Sequence, residues 1–250
     1  MIDFNDTDKR GENSEYALPY YQISYDKFFQ FGLSVDCVVF GYHQEKLKVL
    51  VIKRGVAPFK GEWALPGDLV YPNENIDVAA QRILHDLTDI KGLFMEQTLV
   101  YGGVDRHPAG RVITTGYYSL IDISKHDPHA SAWAEGVYWM DIDQVPELAF
   151  DHNDILKDAL KILRRRVRRR PVGFELLPQK FTLAQLQQLY EVLLNECYDK
   201  ANFRKKILGM NLLKDLKENQ TNVSHRPAKL FSFDEARYSE LKSEGISFEL

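Results

Sequence analysis

Apolar residues crowd two short runs near the start of the chain, "FGLSVDCVVFGY" (31–42) and "KVLVIKR" (48–54), with the charged turn "HQEKL" between them. Both runs are rich in β-branched and aromatic side chains, which predicts two paired strands. The period then changes. In "NIDVAAQRILHDLTDI" the residues Ile76, Ala79, Ala80, Ile83, Leu84 and Leu87 recur at three- and four-residue intervals. That spacing predicts a one-faced helix with Asn75 as a plausible N-cap. "EQTLVYGGVD", "RVITTGYYSLID" and "GVYWMDI" read as further strands. "FDHNDILKDALKILRRRVRRR" predicts a second helix, with Asp151 as a possible N-cap and Ile155, Leu156, Ala159, Leu160, Ile162 and Leu163 on its apolar face. Strands and helices in this order describe an α/β domain with a mixed sheet over residues 25–170.

At "RRRPVGFELLPQKF" the pattern breaks: Pro171, Gly173 and Pro178 fall within eight positions and mark a linker. Residues 171–250 are organised differently. "FTLAQLQQLYEVLLN" opens with a capping box, Thr182 and Gln185, and its Leu183, Leu186, Leu189, Tyr190 and Leu193 belong inside. "DKANFRKKILGM" opens on Asp199 as N-cap and stops near Gly209. "LLKDLKENQTNVSHRPAKLFSF" reads as two strands around a polar, basic loop. Helix, short helix, hairpin is the order of a small winged helix-turn-helix domain.

Composition narrows this picture only a little. The 250 residues suit one large domain or two modest ones, and 44% hydrophobic residues can build a core. Cys37 and Cys197 are too few and too far apart for a disulfide framework or a zinc site. Residues 1–24 lack periodicity, which predicts a flexible arm. Their polar, acidic start does not read as a signal peptide, and no run of about 18 apolar residues occurs. A cytoplasmic protein with no membrane span is expected.

Residues 65–90, "LPGDLVYPNENIDVAAQRILHDLTDI", resemble a Nudix box. That pattern runs glycine, five residues, glutamate, seven residues, then Arg-Glu-aliphatic-x-Glu-Glu-x-Gly-aliphatic. Glu74, Arg82, Leu84 and Ile90 match it, and "EWALPGD" looks like the usual approach. The departures fall on the chemistry. In the family the glutamates after the arginine bind a divalent metal that bridges a diphosphate, because carboxylates three or four residues apart share one helical face. Here those positions hold Ile83, Asp86 and Leu87; Asp68 and Asp89 stand where glycines belong. The resemblance therefore implies a Nudix fold with no catalytic residues, no metal and no cofactor. Pairing of Glu74 with Arg82 would tie loop to helix and support the fold.

Two charge features were added to this frame. "KILRRRVRRR" carries seven cations in ten residues (Lys161, Arg164, Arg165, Arg166, Arg168, Arg169, Arg170), fitting either a solvated helix end or a basic surface facing phosphates. In the C-terminal module, eight Lys or Arg face three acids between Asp199 and Lys229. With Phe203 and Ile207 facing inward at about 100° per residue, Lys200, Asn202, Arg204, Lys205 and Lys206 point outward or flank, as on a recognition helix. His225, Arg226 and Lys229 would form the wing. A protein-docking winged helix is the alternative.

The chain as a whole resembles the Nudix-related transcriptional regulators, in which a degenerate Nudix domain senses a small molecule and a C-terminal winged helix binds double-stranded operator DNA. Segments such as "GGVDRHPAGRVITTGYYSLI" look most like the branch answering to a pentose such as L-arabinose, with ADP-ribose the second choice of effector. A homodimer on a two-fold operator is expected, with the effector changing the spacing of the two winged helices and lowering DNA affinity. A sugar wants planar polar groups and an aromatic face. The expected effector-binding set is Asp36, Arg54, Trp63, Asp105, Arg106 and Arg111, with Ile83 and Leu87 lining the pocket or lying close by. The competing function is an active Nudix hydrolase of a nucleoside diphosphate derivative of the ADP-ribose type, using Asp86, Glu74 and a distant acid.

Overall fold

The structure is a computed structural model that describes residues 31–221, 226–244 and 248. The arm expected at 1–24 and the wing residue His225 lie outside the described residues. The apolar runs form the predicted strands, β1 (Gly32–His43) and β2 (Lys46–Arg54), paired antiparallel. Two short strands come next, β3 (Trp63–Ala64) on β2 and β4 (Gly67–Leu69) on β1. They lie in and at the end of the "EWALPGD" approach and have no sequence signature, since two- and three-residue strands carry no periodicity. Helix α1 (Ile76–Thr88) leads to β5 (Glu96–Tyr101), β6 (Val112–Asp122) and β7 (Ala134–Asp141). The path β3-β2-β1-β6-β5 is hydrogen-bonded, with β7 also on β2, and β1 runs parallel to β6 along nearly its whole length.

Alternation along β1 decides what each face of the sheet carries. Val35, Cys37 and Val39 join Ala79, Ala80, Ile83, Leu84 and Leu87 of α1 in one core. Val38 and Phe40 join the other, against Ile155, Leu156, Ala159 and Leu163 of α2 (His152–Arg169). By this alternation Asp36 faces the α2 side.

The C-terminal module follows the predicted order. It comprises α3 (Leu183–Leu194), α4 (Lys200–Gly209), β8 (Leu213–Asn219), β9 (Lys229–Phe233) and α5 (Glu235–Ser243). The capping box forms: Thr182 Oγ1 accepts from the Gln185 N–H at 3.1 Å, and Gln185 Oε1 accepts from the Thr182 N–H at 2.8 Å. Asp199 caps α4 through the Asn202 N–H at 2.9 Å. Helix α5 is not predicted by the pattern, because "EARYSELKS" has almost no one-sided apolar face. The Pro/Gly-rich linker is packed rather than loose: Phe174 and Leu176 are buried, and Phe174 stacks on Phe233 at 4.3 Å.

Candidate effector site and nucleic-acid interface

Around Asp36 the sheet, the 102–111 loop, the segment after β2 and the start of α2 border an open cavity of about 390 Å³. Asp36 is 5% exposed. Its carboxylate accepts from Thr114 Oγ1 at 2.8 Å and lies 3.5 Å from an Arg106 Nη and 3.4 Å from His152 Nε2. Burial alone would raise its pKa, but His152, Arg106 and Thr114 together hold it below the usual carboxylate value. Glycine is required at position 67, since a Cβ there would collide with Asp36 Oδ1. The Leu65 N–H donates to His152 Nδ1 at 3.0 Å. That nitrogen is therefore unprotonated, which leaves the Nε2 proton to point toward Asp36.

Asp151 occupies the N-cap position of α2 but makes no side-chain cap bond. Its carboxylate instead accepts from Arg106 Nε at 2.8 Å and an Arg106 Nη at 2.5 Å. Arg106 thus bridges β1 and the first turn of α2. Arg54, at the end of β2, is 7% exposed and donates from Nε to the Pro58 carbonyl at 2.8 Å. Its guanidinium lies against the Trp133 and Phe150 rings, 4.8 and 5.0 Å from their centres. Burial lowers its pKa, while Asp68 and Asp36 push it back up.

Of the six residues expected to bind effector, Asp36, Arg54 and Arg106 line this cavity. The other three are placed elsewhere. Trp63 packs edge-on against Tyr138 at 5.1 Å, with Lys53 over its ring. Asp105 is exposed in the 102–111 loop, and Arg111 donates to the Gly102 carbonyl at 2.6 Å, closing the base of that loop. His107, Trp133, Phe150 and His152 also line the cavity, and sequence reasoning misses them. The one hint, for Phe150 and His152 alone, is "FDH", where they flank the supposed cap Asp151, and it does not say that either meets Asp36.

The box itself is a structural element. Glu74 accepts from Arg82 Nε at 2.9 Å and Nη at 2.6 Å, and the same arginine donates to the Leu69 carbonyl at 2.9 Å. Paired with Arg82, Glu74 keeps a lowered pKa. Ile83 and Leu87, expected at or near the pocket, are 0% and 1% exposed inside the α1 core. They are absent from the cavity lining because their helix face is the one that packs on β1. Asp86 lies 3.5 Å from Arg82. Asp89 ends α1 with φ of 57°, the left-handed conformation that explains a glycine at this point in the family pattern. These residues do not fit a divalent cation. Two of the three ligand positions are buried hydrocarbon, the third is an aspartate beside an arginine, and no cluster of three acidic, His or Cys side chains forms among the described residues.

In the C-terminal module Phe203 and Ile207 are buried, whereas Lys200, Asn202, Arg204, Lys205 and Lys206 are exposed. None of these cations forms an ion pair among the described residues. Arg226 and Lys229 are exposed on the hairpin side, Lys229 lying 3.4 Å from Asp215. The arginine tract divides. Arg164 donates to the Leu193 carbonyl at 3.4 Å, Arg168 pairs with Glu196 at 2.5 Å, and Arg166 pairs with Glu96. These three hold α2 to α3 and to β5, whereas Arg165, Arg169 and Arg170 are exposed. The tract is thus neither a solvated end nor a uniform basic surface.

A mixed α/β fold of this kind followed by a winged helix defines a class, and comparison with known proteins identifies it. Residues 30–159 match the NUDIX domain and residues 173–233 the NrtR DNA-binding winged helix domain. The chain is 31% identical over 205 residues to the ADPR responsive transcriptional repressor NtrR of Acinetobacter baylyi, covering 80% of this chain and 81% of that protein. It is 32% identical over 135 residues to an ADP-ribose pyrophosphatase of Methanocaldococcus jannaschii, covering 54% and 79%. Shewanella oneidensis NrtR complexed with a 27mer DNA superposes with a TM-score of 0.65 at 30% identity, covering 83% of this chain and 95% of that one. The NUDIX domain of the Shewanella protein complexed with ADP ribose gives 0.52 at 30% identity, covering 57% and 94%. The chain belongs to the Nudix family, in the NrtR-like group that joins this fold to a winged helix. Among the described residues no helix is long and apolar enough to cross a membrane.

Proposed function

We propose that this protein is a DNA-binding transcriptional regulator whose Asp36–Arg54–Arg106 cavity receives a small-molecule effector. The observation that carries this reading is the path of α2. Its cap Asp151 and first residue His152 hold Arg106 and Asp36 at the cavity, and its last turns hold α3 through Arg164 and Arg168. A ligand that takes Arg106 away from Asp151 would alter the seat of α2, and with it the seat of the winged helix. Lys200, Asn202, Arg204, Lys205, Lys206, Arg226 and Lys229 are the DNA contacts in this reading, with residues 25–170 as sensor, 171–250 as DNA-binding module and a homodimer as the binding unit.

The effector favoured by the relatives is ADP-ribose. The pentose reading rests on segment likeness, and the relatives do not support it. The relative that spans both domains is described as ADPR responsive, and the Shewanella NUDIX domain was solved with ADP ribose. Pentoses are therefore the comparison arm of the test. Duplex sites are selected from random DNA, and affinity is measured by anisotropy with and without ADP-ribose, L-arabinose and D-xylose. ADP-ribose is expected to weaken DNA binding, and Asp151→Asn to blunt the response. Equal affinity under every condition overturns the proposal.

The pyrophosphatase relative favours a second reading, hydrolysis of ADP-ribose. The box residues argue against it, and release of AMP from ADP-ribose in the presence of magnesium would establish it.

A further inference from the structure

The arginine tract at the end of α2 carries more charge than the fold uses. Seven cations lie between Lys161 and Arg170 with no acid among them. Four are answered: Lys161 by Asp158, Arg164 by the Leu193 carbonyl, Arg166 by Glu96 and Arg168 by Glu196. Arg165, Arg169 and Arg170 are exposed and make no hydrogen bond or ion pair among the described residues. A helix C-terminus offers only about half a negative charge, felt within the last turn. That suits one of the three, and Arg165 lies outside the turn. Arg165 and Arg169 are also four residues apart, and like charges at that spacing repel on a helix face. Their position matters as much as their number. Arg168 reaches Glu196, shortly before Asp199, the cap of α4. At about 100° per residue, Arg165 and Arg169 lie about 60° and 100° round the helix from Arg168, on the side turned away from the buried Leu163 and Val167. The unanswered guanidinia thus adjoin the turn that leads into the exposed cations of α4.

We infer that Arg165 and Arg169 form a second contact to DNA, carried by the sensor domain and made to the phosphate backbone. Guanidinium forks bind phosphate oxygens in pairs, and such contacts add affinity and register rather than sequence reading. An anionic membrane is the less suitable partner. A helix lying on a membrane needs an exposed apolar face, and that of α2 is buried against the sheet and α3. The inference rests on the protein being a DNA-binding regulator. It adds that α2 holds Arg106 through Asp151 at its cap and DNA phosphates at its last turns, so that effector and DNA meet on one helix.

The test uses the whole chain, a selected duplex and a shuffled duplex of the same length, with affinities measured across a salt series. Arg165→Gln/Arg169→Gln is expected to weaken both duplexes by the same factor. It should also lower the slope of log affinity against log salt by about one for each arginine that reaches a phosphate. Arg165→Lys/Arg169→Lys should recover most of the slope, because it keeps both charges. A loss confined to the selected duplex overturns the contact, since it would make the arginines base readers. So does a variant that loses only binding to vesicles of equal parts phosphatidylserine and phosphatidylcholine. Urea denaturation checks the fold; should the double variant not fold, the two single Gln variants decide by the same slope. The underlying reading fails separately. A wild type that binds neither duplex overturns it and the contact together. A wild type that prefers the selected duplex, beside a double variant of unchanged slope, overturns the contact alone.

Discussion

Helices α1 and α4 make opposite use of their polar residues. In α1 the side chains at two of the three metal-ligand positions are buried hydrocarbon, and Arg82 is tied to Glu74, Asp86 and the Leu69 carbonyl. In α4 only Phe203 and Ile207 are buried; Tyr190 and Tyr198 pack beside Phe203, and the cations are left facing water. A helix whose charges are all answered from within holds a fold together. One whose charges are unanswered presents a surface for something outside.

Restoring an acid to α1 tests the first half of that contrast. Ile83→Glu places a carboxyl in a fully buried apolar site and should destabilise the chain by about 4 kcal/mol or more, read by urea denaturation, without creating magnesium-dependent ADP-ribose turnover. A stable, hydrolysing variant would mean that the face is an active site short of one ligand. The second half is tested on α4. Replacing Arg204, Lys205 and Lys206 together with Ala should leave stability within about 0.5 kcal/mol per substitution and reduce the salt-dependence slope of DNA binding by about two to three. An unchanged slope would move the DNA contacts elsewhere or favour a protein-docking role. The smallest effect is expected at the helix end. Asp89→Gly relieves a left-handed residue at φ 57° and should stabilise by up to about 1 kcal/mol; a loss instead would show that the contacts of Asp89 with His85 and Lys91 matter more than its backbone.

The long, periodic elements are legible in the sequence. β1 and β2 emerge as apolar runs because both their faces are buried, and α1, α2 and the capped α3 and α4 emerge from spacing and caps because each helix buries one face. The cavity is half legible. Asp36 betrays itself as a charge within an apolar strand, Arg54 as a cation at a strand end, and Arg106 as one within a Gly- and Pro-containing loop. Trp133 and His152 do not, since what makes them cavity residues is the crossing of segments about a hundred positions from Asp36 along the chain. Asp151 shows the limit most clearly: cap position and half-buried ion-pair partner look alike until Arg106 is placed beside it. The placing of Ile83 and Leu87 at the pocket fails for the same reason, as loss of a ligand does not say whether the replacement faces the cavity or the core. Ligand choice is read from segment likeness, and that is the property least determined by segments.

Because Leu163 and Val167 of α2 share one apolar cluster with Val38 and Phe40 of the sheet and with Leu186, Leu189 and Tyr190 of α3, the two halves have no polar, hydrated seam at which to be parted. This bears on anyone wishing to graft this sensor onto another reader of DNA. A splice at the proline after α2 would strip hydrocarbon from both pieces at once. A working chimaera would have to carry the final turns of α2, arginines included, along with the helix they grip.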